Sequence, residues 1–335
     1  MTPHSIFRQI ILFIAICLIL FIFNIVTPYV LNAYLCMIVI YCGINIILGT
    51  SLNIINGLTG QFSMGHAGFM AVGAYASAAC SYYYLSPLLN SLSTSSFITL
   101  LVQQFFLVIA LIVGGGAAAL FGYLVGLPSL KLRGDYLGIV TLGFGEIIRV
   151  TILNMDSLGG ARGFTGIPAW SNFFWIYFFV VAVVMTSFRL MRSYHGRALL
   201  SIREDEIAAE SIGINITGHK VRAFVFSSFF AGIAGGLFAH FIGYLNPSSF
   251  TFIKSFEAII IVVLGGMGSI SGSIIAAIIT TILPEALRPL QEITKLDFRM
   301  VIYPLLLLTL MLTRPQGLFG NKEISFSFLK RKKSK

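Results

Sequence analysis

The chain has 335 residues, 57% hydrophobic and 10% charged, with a mean hydropathy of +0.92. An average soluble domain is about 25% charged; too few polar residues are present to cover a soluble fold of this size. A soluble enzyme, a disordered chain and a disulfide-stapled secreted module are therefore excluded. The net charge of +10 does not call for a nucleic-acid partner, because the basic residues sit in loops and at the C-terminal tail, as membrane orientation requires.

From Arg8 to Lys131 the chain carries no other Asp, Glu, Lys or Arg. Apolar runs long enough to cross about 30 Å of hydrocarbon recur along most of the chain. The spans are read as helices, which satisfy their own backbone hydrogen bonds in lipid. The expected fold is an all-α integral membrane protein with about ten spans, near 10–29, 31–55, 62–85, 97–127, 137–153, 172–188, 221–245, 254–267, 270–287 and 299–313. The first is read as retained, since no small-residue cleavage site follows it. The run at 254–267 is short and is read as a half-helix or re-entrant piece. Cys17, Cys36, Cys42 and Cys80 all lie in apolar runs and read as small buried hydrophobes.

Most of the 22 basic residues fall at Arg8, at Lys131 and Arg133, between Arg189 and Arg222, and in the tail from Arg314 to Lys335. That set of loops is assigned to the cytoplasm with both termini. The basic tail, 321–335, reads as a positive-inside anchor beside membrane lipid. Residues 1–335 then form one transmembrane domain with a single large cytoplasmic loop, 189–220. Within that loop, Ser201 and Glu204 have capping-box spacing. Glu204, Asp205 and Glu206 would occupy a first helical turn, where the dipole favours acid. Gly213 supplies a stop. A short helix over 202–212 is expected.

Three GxxxG spacings, Gly122/Gly126, Gly232/Gly236 and Gly268/Gly272, predict close helix approach. Two Gly-rich stretches, 56–68 and 265–272, predict broken helices, which membranes tolerate only inside protein or beside a water-filled path. An inverted repeat of spans two to five against seven to ten would put the breaks at matching positions, and these do not match.

No catalytic constellation is evident: a phosphate loop is ruled out by the lack of any Gly-Lys pair, and no HExxH occurs. Ionisable or polar groups within the spans are the candidates for a transport path. They are Asn53, Asn56, Gln61, Ser63 and His66 in and beside the first break, and Glu146 with Arg149. The last two stand three apart on one helix, so an ion pair that merely orients the helix is the competing reading. Polar but untitratable groups suit a small polar or zwitterionic solute better than a proton relay.

Several stretches resemble the M-type (LivM) permease subunits of bacterial branched-chain amino-acid ABC transporters. They are Leu52 to Tyr75, Leu132 to Arg149, Gly196 to Ile214, Val263 to Gly272, and Arg314-Pro-Gln-Gly-Leu-Phe319. The resemblance implies an importer permease in the inner membrane that works by alternating access. It also implies a second homologous permease, two cytoplasmic ATPase subunits that use ATP and magnesium, and an external, periplasmic solute-binding protein. No cofactor is expected on this chain. The loop 189–220 matches the place where such permeases dock the ATPase. Ile207-Ala-Ala-Glu-Ser-Ile-Gly213 keeps Ala208, Ala209 and Gly213 of the importers' EAA-x3-G pattern, with Glu206 one position early. Arg203, Glu204, Asp205 and Glu206 complete the implied coupling helix. A permease for urea or short amides, and an ion-coupled secondary transporter, remain the alternatives.

Overall fold

The structure is a computed structural model that describes residues 3–91, 96–129 and 134–288, together with 305, 308–309, 312–313, 316–320 and 323. The expected span 299–313 lies mostly outside the described residues; Lys131, Arg133 and the basic tail, apart from Glu323, lie wholly outside them.

The described residues are helical nearly throughout, as apolar segments in lipid must be. Helix α1 (Pro3–Val30) leads through two residues to α2 (Ala33–Asn53), which runs on into a π-turn, Ile54–Leu58. Residues 59–65 are not helical; α3 (His66–Ala79), a second π-turn and α4 (Ser86–Ser91) follow. The expected span 62–85 is thus interrupted at its start. Next come α5 (Ser96–Ser129), α6 (Asp135–Leu153), α7 (Phe173–Arg192), α8 (Tyr194–Glu204), α9 (Glu206–Ser211) and α10 (Ile216–Ile242). Two further helices, α11 (Phe252–Gly265) and α12 (Ile270–Ala286), close the described part. Six of the described helical stretches are long and apolar enough to cross a membrane, with two shorter apolar helices at Cys17–Thr27 and Ile270–Ala286. The fold is a multi-pass helical membrane protein.

Lipid is as apolar as leucine, so helices here gain little from burying aliphatic surface against one another; close backbone approach and interhelical bonds hold them together. The centre is a packet of α3, α5 and α10. A Cβ on Gly73 would overlap the backbone of Gly232, and one on Gly235 would overlap the carbonyl of Met70. Gly114 rests on the carbonyl of Gly73 and on Ser77. Phe69 and Phe224 meet edge to face at 5.6 Å in the same packet. Gly232/Gly236 and Gly122 therefore do what their spacing predicted, Gly122 against Ser228. Gly268/Gly272 also packs closely, but not as one helix face: Gly268 lies in the turn between α11 and α12 with φ +96° and stands against Gly57, and Gly272 packs on Gly265. A four-residue spacing carries no helix face when a turn separates its ends.

Around this packet, α2 lies against α7, α11 and α12, with Gly43 on Ile176 and Gly49 on Ile261. Asn45 donates to Thr281 at 2.9 Å. The outward faces of α1 and α5 carry exposed Phe21, Phe23, Leu100, Leu101, Phe105 and Leu124, a lipid-facing surface. At one end the 154–172 and 243–251 loops join through the antiparallel bridge Phe164↔Leu245 (β1 Phe164–Thr165, β2 Tyr244–Leu245). His240 ties that end together. Its Nδ1 faces the carbonyl of Pro168 at 2.9 Å and must donate, so its Nε2 accepts from Ser77 at 3.1 Å.

The expected helix over 202–212 is two helices. Ser201 lies inside α8 and donates to the carbonyl of Ala198, so it caps nothing. The caps are Ser193, which accepts from Gly196 N–H at 3.2 Å, and Asp205, which accepts from Ile207 and Ala208 N–H at 2.8 and 3.0 Å. Glu204 is the last residue of α8, not in a first turn. Asp205 outcompetes Ser201 because its extended backbone frees a carboxylate to meet two orphan N–H groups. Gly213, at φ +85°, follows the end of α9 as expected.

Candidate functional site: two broken helices and the segment beneath them

The two Gly-rich stretches, far apart in sequence, meet. Asn53, at the last turn of α2, is buried and makes three hydrogen bonds across this junction. Its Nδ2 donates to the carbonyl of Ser269 and to Ser273 Oγ, both at 2.9 Å, and its Oδ1 accepts from Gly268 N–H at 2.8 Å. Gly57, in the π-turn, lies so close to Gly268 that a Cβ would overlap its backbone nitrogen. Replacing Asn53 with leucine leaves the Gly268 N–H without its acceptor, a cost of about 1–3 kcal/mol, while the Ser269 carbonyl keeps the Ser273 N–H and hydroxyl as donors. The melting temperature of N53L in mild detergent should fall by several degrees, with the change read by fluorescence size exclusion.

Beyond the π-turn the backbone is kept open by side chains. Thr59 hydroxyl and Gln61 N–H both donate to the carbonyl of Ile55. Asn56 Oδ1 accepts from Ser63 N–H at 3.2 Å. Met64 N–H donates to Thr141 Oγ1 and Ala67 N–H to Ser255 Oγ, both at 3.0 Å, fastening the end of the break to α6 and α11. Ser51 Oγ donates to the Leu48 carbonyl, so it accepts from His66 Nε2 at 2.9 Å. Gln61 Nε2, Ser63 Oγ and His66 Nδ1 are buried with no hydrogen-bonding partner among the described residues. Buried polar groups are ordinarily paired, and here three that are not fall within six residues.

Of the expected path residues, the structure brings Asn53, Asn56, Gln61, Ser63 and His66 together at this junction. Glu146 and Arg149 stand on α6, where Arg149 Nε meets Glu146 Oε2 at 2.7 Å. The other carboxylate oxygen of Glu146 accepts from Phe252 N–H at 3.2 Å, the first residue of α11. The pair thereby anchors the N-terminus of α11, where a carboxylate is favoured. Glu146→Ala should weaken this corner by about 1 kcal/mol, typical of a lost N-terminal acceptor, whereas Glu146→Gln, which keeps an acceptor, should stay near wild type in thermal stability.

Sequence reasoning did not single out the third party to the junction. Leu318 N–H donates to the Leu264 carbonyl at 2.8 Å, and Gly317, at φ +76°, stands against the backbone of Gly266. Glu323 closes the N-terminus of α12, its oxygens accepting from Ile270 N–H at 2.6 Å and from Ser271 N–H at 3.1 Å. Gly317 lies in a stretch noted for its resemblance; Glu323 gives no sequence signal, since its partners are about fifty residues away.

Beneath the junction lie α8 and α9. Ile54 and Leu58 of the π-turn pack with Leu199 of α8 and Ala223 of α10. Arg203 Nη1 donates to the carbonyl of Gly57 at 2.9 Å. Lys220 of α10, buried, pairs with Glu206 of α9. Ala209 is buried, while Ala208, Ile207 and Ile212 are exposed, the two isoleucines at 73% and 74%. Ile207 and Ile212 form an exposed apolar knob on a charged segment that lies outside the candidate membrane spans.

A Gly-broken bundle with a capped, partly apolar segment at the mouth of its breaks defines a membrane permease subunit. A family model described as the permease component of branched-chain amino acid transport systems matches residues 34–311. The chain belongs to that family. It is 38% identical to the high-affinity branched-chain amino acid transport system permease protein LivM of Salmonella typhimurium, over 82% of this chain and 67% of that protein. The probable LivM of Methanocaldococcus jannaschii is 27% identical over 64% of this chain and 69% of that protein. The permease protein LivH of Escherichia coli is 33% identical over 45% of this chain and 47% of that protein. No solved structure gives a significant match.

Proposed function

We propose that this chain is one permease subunit of an ATP-driven importer that passes branched-chain amino acids across the inner membrane. It works beside a second, homologous permease, with two cytoplasmic ATPases and an external solute-binding protein. Relatives of both M and H types support a pair of permeases. The observation that carries the reading is the placement of α8–α9: its buried face is joined to the broken helices, and its exposed face presents Ile207, Ala208 and Ile212 among Glu204, Asp205 and Glu210. Such a segment can pass a partner's movement to the bundle.

In this reading both termini and α8–α9 face the cytoplasm, and the bridge of Phe164 with Leu245 faces the binding protein. ATP and magnesium act in the partner ATPases; differential contact of those subunits with α8–α9 in two states of the bundle biases the direction of opening. Asn53, Asn56, Gln61, Ser63 and His66 line the cytoplasmic half of the path. Of these, Gln61, Ser63 and His66 keep polar atoms without a hydrogen bond among the described residues and suit a zwitterion's carboxylate and ammonium without holding either tightly, while Asn53 holds the two breaks together.

The test is purification of the tagged permease in gentle detergent, then reconstitution with whatever ATPase, second permease and binding protein accompany it. ATP-dependent uptake of leucine, isoleucine or valine supports the reading. Uptake of urea or short amides alone moves the substrate class, and uptake by the lone chain on an ion gradient overturns it.

A further inference from the structure

We infer that Arg203 is the positioning residue through which the docked segment sets the conformation of the broken helices; this rests on the importer reading above. Arg203 lies in the last turn of α8, two residues before the Asp205 cap on which α9 is built. Its side chain turns inward, and only 21% of it is exposed, against 76% for neighbouring Glu204. The guanidinium donates to the Gly57 carbonyl at 2.9 Å. That carbonyl belongs to the last turn of a helix running from α2 through the π-turn, where carbonyls lack helical partners and a cation is favoured by the dipole. The aliphatic stem of Arg203 packs under Gly60, whose φ of +69° and closeness to the Arg203 Cγ leave no room for a Cβ without strain.

Gly57 is the shared point. Its other side abuts Gly268 in the second break, which Asn53 holds. The chain leaving Gly60 carries Gln61, Ser63 and His66, the groups with unpaired polar atoms. A shift of the end of α8 is therefore delivered by one charge-assisted bond to the joint between both breaks. The apolar contacts of Leu199 with Ile54 and Leu58 hold α8 in place, but they are not directional. A planar guanidinium bonded to a carbonyl is directional.

The importer reconstituted in proteoliposomes tests this with Arg203→Ala and Arg203→Lys. Three quantities are read: ATPase recovered per permease, ATP hydrolysed, and leucine taken up. R203A should recover ATPase as wild type does, yet show uptake per ATP lower by about 10-fold or more, the scale of one charge-assisted bond. R203K, which keeps charge and stem, should fall between the two. Unchanged uptake per ATP in R203A overturns the inference, as does loss of ATPase recovery in parallel with uptake, which would make Arg203 a docking contact. A wild-type complex that assembles with no ATPase overturns the importer reading itself, and is recognised without either variant.

Discussion

Ala209→Pro is expected to abolish uptake while the protein still inserts and folds in the membrane. Ala209 lies in the middle of α9, buried, and its N–H bonds the carbonyl of Asp205 at 3.0 Å. Proline removes that bond, and its ring crowds the preceding turn, a cost of about 3 kcal/mol. A six-residue helix cannot absorb such a loss, since an isolated helix of this length is marginal in water even without it. The position within the helix matters. Ile207, an obvious choice from sequence alone, is in the first turn of α9, where proline is tolerated; I207P would remove only the bond to Asp205. In A209P, ATPase recovery in pull-downs and uptake should both fall to background, with the amount of permease in the membrane unchanged. Wild-type uptake by A209P would show that α9 is not the docking element.

Gly73→Leu is expected to prevent accumulation of folded protein altogether. The backbone of Gly232 lies where the Cβ would go, so the obstacle is a second helix rather than a movable side chain. Overpacking ordinarily costs about 1–3 kcal/mol and more where neighbours cannot shift. Here separating α3 from α10 also parts Gly235 from Met70. Gly116→Leu, on the neighbouring α5 and with open space at its Cβ, is the control and should be close to neutral. The comparison is read as monodisperse protein recovered in detergent; equal recovery of both variants would remove the close packing of α3 on α10 as the source of stability.

The helices themselves were legible because hydrophobic length needs no partner to be read. The runs near 97–127 and 137–153 correspond closely to α5 and α6. The run 254–267, read as a half-helix, corresponds to α11, which with the turn before it, Pro247–Gly265, is long and apolar enough to cross a membrane. The breaks were legible as well, from glycine and polar residues inside apolar runs. What misled was local competition. Ser201 and Glu204 have capping-box spacing, but Ser193 had already started a helix through that point, and Asp205 then ended it. Gly268 and Gly272 have interface spacing, but Gly268 takes positive φ in the turn before α12, so the two face different partners, Gly57 and Gly265.

Composition and hydropathy alone settled that this is a helical membrane protein, because an apolar chain in lipid must close its backbone hydrogen bonds within each segment. Motif resemblance added the permease class. Neither could show that Asn53, Gly57, Gly268, Gly317 and Arg203 form one joint, nor that Glu146 anchors α11. Those contacts join residues about 50 to more than 200 positions apart, mostly through single polar bonds or bare backbone approach. Periodicity carries no trace of either, since which helix lies against which is decided by glycine contacts and side-chain bonds that exist only once the bundle is assembled.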